Sequence, residues 1–298
     1  MNIWALVRNA TGVDLRLYQP GIVRLRIERR IALRNIDTLD AYAQLLVEDR
    51  NELNALYDDM FIDETGFFRD PDNLQGLRDT VFARILSGRG PLDIRAWVPG
   101  CSTGEEVYTI GMLLFEQLGE RQAEARIQIF GTALSDRAIA RARNGIYVNL
   151  TDVTPERQQR FFGRVEGEFG ITKSLRDLCV FGRHDLTKDP PLPRMDLIVC
   201  RNLLISMRPT LRNRVIATFH YALRPEGYLL VGRTDSLGCF AHLFSEEDSG
   251  HAIYARARFT PPSERVVPDR HAPPPDPLDE QVRATIQHNQ TSLEVCAS

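Results

Sequence analysis

Two hydrophobic rhythms divide the chain. Up to about residue 90, apolar positions recur at helical spacing among arginines and acids. GIVRLRIERRIALRNI (21–36) sets Ile22, Leu25, Ile31 and Leu33 among arginines. TLDAYAQLLVEDRNELNALYDDMFI (38–62) follows as a second helical stretch, with Leu39, Tyr42, Leu45, Leu46, Leu53, Leu56 and Tyr57 near a helical period. Thr38 ahead of the leucine run, with Asp40 behind it, marks a helix start. A third helix is predicted over 73–87, stopped by Ser87-Gly88-Arg89-Gly90-Pro91.

Beyond that break, short apolar runs alternate with helical segments. IRAWVPG (94–100), RIQIFGTA (126–133), LCVFGRHD (178–185), MDLIVCRN (195–202) and GYLLVGRT (227–234) read as strands. Helices are predicted over 104–119, 135–144, about 154–162 and 208–224. Such alternation implies an α/β fold, a largely parallel sheet covered by helices on both faces. HAIYARARF (251–259) adds a last, antiparallel strand, and GRVEGEFGITKSLRD (163–177) a small inserted hairpin. The predicted divisions are a helical domain (1–90), an α/β domain (91–258) and a proline-rich tail (259–298) whose LDEQVRATIQHNQTSLEV forms a short amphipathic helix.

Composition narrows the field without identifying the protein. A chain of 298 residues, 43% hydrophobic and 26% charged, buries a full core as an ordinary soluble protein does. The net charge of −3 argues against a mainly nucleic-acid-binding role. No apolar run approaches the roughly 20 residues of a membrane span, and MNIWALVRNATG lacks the pattern of a secretory signal. The five cysteines (Cys101, Cys179, Cys200, Cys239, Cys296) show no paired spacing, which predicts free, buried thiols in a reducing cytoplasm.

The richest chemistry lies in VPGCSTGEEVYTIGMLL (98–114). A strand ends in Pro99-Gly100-Cys101-Ser102-Thr103-Gly104 and enters a helix carrying Glu105 and Glu106. Glycines permit a tight turn and close backbone approach, and a helix N-terminus offers free N–H donors. Two glutamates there would repel a phosphate and suit a ligand presenting an ammonium or hydroxyl group. The plainer reading is a helix end whose acids are stabilised by the dipole. Ligands of open α/β sheets sit beyond the carboxyl ends of strands, so Thr132-Ala133, His184-Asp185-Leu186, Cys200-Arg201-Asn202 and Gly232-Arg233-Thr234 should share one crevice. Upstream, DETGFFRDPD (63–72) gathers Thr65, Phe67, Phe68 and Arg69 in one loop.

Together these segments resemble the CheR family, S-adenosylmethionine-dependent methyltransferases that esterify glutamates of chemoreceptors. YQPGIVRLRIERRI, TGFFRDP, GCSTGEEVYTI, ARARNGIY, PPLPRMDLIVCRNLLI and RPEGYLLVG match in order across roughly residues 10–257. The opening stretch is most similar to CheR domains inside larger fused signalling proteins. The resemblance implies a Rossmann-like class I methyltransferase sheet, an N-terminal all-helical subdomain and a small β insert. It also implies that Thr65 and Arg69 line the reactive end, with Arg69 orienting the attacking carboxylate. Glu106, with Glu105, would contact S-adenosylmethionine; Asp185 and Leu186 would lie by the adenine, Arg201 and Asn202 by the methionine portion. Gly100, Ser102, Gly104, Thr132 and Ala133 complete the implied cofactor set, S-adenosylhomocysteine is the implied product, and no metal is called for. Transfer in line from a sulfonium depends on alignment more than on acid–base help. Arg24, Arg26, Arg29 and Arg30, against one Glu28, suit docking of an acidic receptor helix, although a solvated helix face explains them as well.

Three places depart from the family pattern. After the second strand the family has A-T-D-x-D, whose first acid binds the ribose hydroxyls; here Gly131-Thr132-Ala133-Leu134-Ser135 carries none. Losing that carboxylate costs about 1.5–3 kcal/mol, of which Ser135 or water would recover part. Ser206 stands where CRN-x-x-I-Y-F has a tyrosine, and G-H-S-E reads Gly232-Arg233-Thr234-Asp235. Three readings follow: an active protein-glutamate methyltransferase with rearranged cofactor contacts, a non-catalytic CheR-like binding module, or a methyltransferase for another acceptor such as a small-molecule carboxylate.

Overall fold

Nothing in the first part of the chain alternates, and it folds as helices: α1 (Ile3–Thr11), α2 (Pro20–Leu33), α3 (Leu39–Glu48) and α4 (Arg50–Phe61). α2 opens on a proline, whose missing N–H costs nothing in a first turn. Thr38 caps α3, its hydroxyl accepting from the Ala41 amide at 3.2 Å. The stretch expected as one helix over 38–62 is two. Asp49 leaves the helical region (ψ 99°) and accepts the amides of Asn51 and Glu52 at 2.8 and 3.2 Å, so α4 starts afresh. α5 (Pro71–Gly76) continues through a π-helical stretch, Leu77–Phe82, into α6 (Ala83–Ile85). The computed structural model describes residues 3–62, 65–87 and 92–257, and the chain up to Arg258 forms one compact unit. The tail predicted over 259–298, with its helix and Cys296, lies outside the described residues, as do residues 88–91 of the predicted break.

The strands are β1 (Leu92–Pro99), β2 (Ala125–Ala133), β3 (Ile146–Tyr147), β4 (Phe162–Val165), β5 (Glu168–Ile171), β6 (Cys179–Arg183), β7 (Met195–Cys200), β8 (Leu223–Val231), β9 (Phe244–Asp248) and β10 (Ile253–Arg256). Seven of them form one sheet in the order β6-β2-β1-β7-β8-β10-β9. β6, β2, β1, β7 and β8 run parallel, and β10 and β9 are antiparallel additions at one edge. The order reverses between β1 and β7, which opens a crevice at their carboxyl ends. β9 was absent from the sequence expectation because Phe-Ser-Glu-Glu-Asp is acidic and suits only an edge, where charge discourages further pairing.

Period-2 alternation sorts the sheet's side chains into two cores. Ile94, Ala96, Val98, Leu197, Val199, Tyr228 and Leu230 pack with α5 and with the crossover helices α7 (Glu105–Leu118), α8 (Asp136–Asn144), α9 (Pro155–Phe161) and α10 (Lys173–Arg176). Trp97, Ile198, Cys200, Leu229 and Val231 face the other way, onto α1–α4 and α11 (Pro209–Ala222). The N-terminal helices therefore share a core with the sheet instead of standing apart from it. The insert is a three-stranded sheet, β3-β5-β4, larger than the expected hairpin. Its turn is Glu166-Gly167, both with positive φ (51° and 89°), as a two-residue hairpin turn requires. Residues 173–176 form α10, which is helical and no part of that hairpin.

Candidate active site

The turn after β1 is shaped by backbone that only certain residues tolerate. Gly100 has φ +71°, and a Cβ there would stand 2.8 Å from the Leu203 Cδ2. Gly104, just before α7, has φ +96°, and its Cβ would fall 2.8 Å from that of Ala142. Ser102 between them is also left-handed (φ 46°), as are Phe68, Asp70 and Asn202 on the adjoining loops. Such conformations cost on the order of 1 kcal/mol each and collect where a fold holds side chains for chemistry. The Cys101 amide bonds the Thr132 carbonyl at 3.0 Å, and the Trp97 indole N–H donates to the Thr132 hydroxyl at 2.9 Å. These bonds lock the turn to the end of β2.

The two glutamates are held differently. Glu105 is buried and accepts from the Thr103 hydroxyl at 2.7 and 2.9 Å. Burial pushes its carboxyl above the usual range, and the Thr103 bond opposes the shift. Glu106 accepts from Nε of Arg201, whose side chain is only 4% exposed. Burial pushes this carboxyl up as well, against the pull of Arg201. The same guanidinium donates through Nη1 to the Arg69 carbonyl at 2.7 Å and lies 3.6 Å from Asp70. One arginine thus joins the end of β7, the start of α7 and the Thr65–Asp70 loop. Phe67 anchors that loop in the core, and the Phe68 amide bonds the Thr109 hydroxyl at 3.2 Å.

A cleft of about 1040 Å³ opens over these strand ends, under the N-terminal helices. Thr65, Arg69, Gly100, Ser102, Glu105, Glu106, Thr132, Ala133, Leu186, Arg201 and Asn202 all line it, and Arg26 and Arg29 reach it from α2. Eight expected residues do not line it: Cys200 is buried in the core, Gly232, Arg233 and Thr234 stay outside the cleft with Arg233 3.5 Å from Asp72, and the other four are held elsewhere. Gly104 packs behind the turn against Ala142. Asp185 turns into its own loop, accepting from the Thr187 amide and hydroxyl at 2.9 and 2.6 Å with Lys188 3.2 Å away, while His184 and Leu186 face the cleft. Arg30 is drawn inward to Glu52 (2.7 Å) and Asp59 (3.6 Å), so it is a structural ion pair and not a docking residue. Arg24 pairs with Glu28 on the exposed face of α2.

Several lining residues were invisible to sequence reasoning. Tyr18, Asp58, Asp59, Arg137, Arg141 and Met207 all border the cleft. Tyr18 and Asp58 come from the helical layer and meet the sheet only through long-range packing. Tyr18 bridges to Met207, and the Gln19 amide bonds the Ser206 carbonyl at 2.8 Å. Ser206, at the place of the family's tyrosine, donates its hydroxyl to the Leu203 carbonyl at 2.7 Å. Asp235 closes its own turn by accepting the Gly232 amide at 3.1 Å.

Comparison with known proteins agrees with this architecture. The all-alpha domain of CheR methyltransferases matches residues 2–61, and their SAM binding domain matches residues 63–253. An uncharacterized 104.1 kDa protein of Rhodobacter capsulatus is 36% identical over 258 residues, 86% of this chain, and this chain spans only 27% of it. Chemotaxis protein methyltransferase 1 of Pseudomonas aeruginosa is 28% identical, over 83% of this chain and 93% of its own length. The chemotaxis protein methyltransferase of Escherichia coli is also 28% identical, over 85% and 88%. With the α-helical layer, the doubly wound sheet and the acid-edged turn at its switch point all in place, the chain belongs to the CheR methyltransferase family.

Proposed function

We propose that the protein transfers the methyl group of S-adenosylmethionine to glutamate carboxylates of a signalling receptor. The observation that carries this is the single cleft in which a glycine turn edged by Glu105 and Glu106 meets the Arg69 loop. The residues fit the cofactor. Gly100 lets the turn lie close against Leu203 in the cleft wall, and two carboxylates suit a cationic ligand. Bound there, the cofactor supplies an electrophilic methyl on a sulfonium. The protein's part is alignment. Arg69, exposed at the rim, presents a planar guanidinium able to hold a carboxylate through two parallel hydrogen bonds. Thr65 on the same loop and Arg201, fixed by Glu106 and bonded to the Arg69 carbonyl, frame the wall beside it. Arg26 and Arg29 at the mouth favour an acidic helical partner and steer its approach. No helix among the described residues is long and apolar enough to cross a membrane, which accords with a cytoplasmic enzyme meeting a receptor's inner domain.

The test is methyl transfer from labelled S-adenosylmethionine to soluble cytoplasmic domains of chemoreceptor-like proteins, with release of the label by base as the mark of an ester. Base-labile label on glutamates is the expected result, reduced at least roughly tenfold in Arg69→Ala by loss of a charge-assisted pair. Binding of S-adenosylhomocysteine without label on any receptor domain would redirect the reading to another acceptor.

A further inference from the structure

In a doubly wound sheet an acid near the end of the second strand holds the ribose hydroxyls of a bound nucleoside. In this chain that strand ends in Ala133, whose side chain borders the cleft. Ser135, the nearby hydroxyl expected to compensate, is already committed. It accepts from the Ala138 amide at 3.1 Å as the cap of α8 and donates to Oδ1 of Asp58 at 2.7 Å. We infer that Asp58, in the last turn of α4, provides the ribose-binding carboxylate that β2 lacks; the inference rests on the cofactor reading above.

The placement is specific. α4 is fastened to the β2–α8 turn at neighbouring residues, because the Tyr57 hydroxyl also donates to the Leu134 carbonyl at 3.2 Å. This double attachment sets the Asp58 carboxylate beside the turn from which the usual acid would project. Asp58 lines the cleft, and its side chain is 18% exposed, so the group is reachable from inside the cleft. Oδ1 takes the serine. Oδ2 has Arg137 at 3.6 Å, beyond hydrogen-bond length. A carboxylate offers about four acceptor sites, so capacity remains for hydroxyl donors. Asp59 does not share the role, since it faces Arg30. The competing explanation is a latch that only pins α4 to the sheet.

Calorimetry on the full chain separates the two, using S-adenosylhomocysteine and its 2′,3′-dideoxy analogue, which lacks both ribose hydroxyls. Asp58→Asn keeps the shape and a partner for Ser135 but gives up half of the acceptor character. The expected result is a roughly tenfold loss for the parent ligand and at most about twofold for the analogue, because a lost partner is felt only where the hydroxyls exist. Adding Ala133→Asp to Asp58→Asn should restore most of the parent's affinity. Unchanged binding in Asp58→Asn, or equal weakening of both ligands, overturns the inference and leaves a latch. If the wild-type chain binds neither ligand, the cofactor reading falls with it. If the wild type binds and Asp58→Asn matches it, only the role of Asp58 is lost.

Discussion

Arg201 shows how much one residue at a strand end can organise. It is nearly buried, yet its guanidinium meets Glu106, Asp70 and the Arg69 carbonyl, three groups from two distant parts of the chain. Removing one partner of a buried pair leaves a charge that water no longer solvates. Glu106→Gln should therefore destabilise the protein by about 2 kcal/mol, less than the usual cost of a broken buried pair because Asp70 and the carbonyl remain. Urea unfolding compared with wild type measures this, and a change within experimental error would mean the pair orders the loop without stabilising the fold. The sequence placed Arg201 at a strand end beside the crevice and Glu106 in the first turn of a helix. It gave no hint that they bond each other, because 95 positions separate them.

At the scale of elements, helix boundaries follow caps more closely than hydrophobic stripes. Leu45, Leu46, Leu53 and Leu56 keep a helical period through 38–62, which suggests one helix. Asp49 breaks it, with its carboxylate turned onto the amides of Asn51 and Glu52. The signal was present as Asp49 with Glu52 three residues on, a pattern that starts helices. The break matters because α4 then lies at a new angle and carries Asp58 to the cleft. Asp49→Ala should cost about 1 kcal/mol through loss of the cap. Thermal melting and far-ultraviolet circular dichroism check it, and an unaltered melting temperature would mean that packing alone sets the break. The basic helix α2 divides in a similar way. Its period put four arginines forward, and packing assigned Arg30 to Glu52 and left Arg26 and Arg29 at the cleft.

Across the whole molecule, the two cores on opposite faces of the sheet make the helical layer part of the cleft wall. One consequence concerns pH. His220 on α11 packs edge-on against Phe244 of β9, ring centroids 5.5 Å apart. Burial, and then the charge of Arg256, hold its imidazole down at about 4, against 6.5 when unfolded. Between those values the unfolded chain binds the extra proton, so stability falls as pH drops from 6.5 toward 4 and is constant for this group above 6.5. Replacing His220 with Leu should flatten that dependence by up to one proton, read from unfolding free energies at several pH values. An equal slope in both proteins would assign the acid sensitivity elsewhere. The sequence by itself determined what is local or periodic: the strand–helix alternation, the glycine turn, the acidic start of α7 and the residues carried to the strand ends. Only the tertiary structure decided which of these side chains face the cleft. Asp185 turns into its own loop and Asp58 arrives from a distant helix, because burial and long-range hydrogen bonds choose among orientations that the sequence pattern leaves equal.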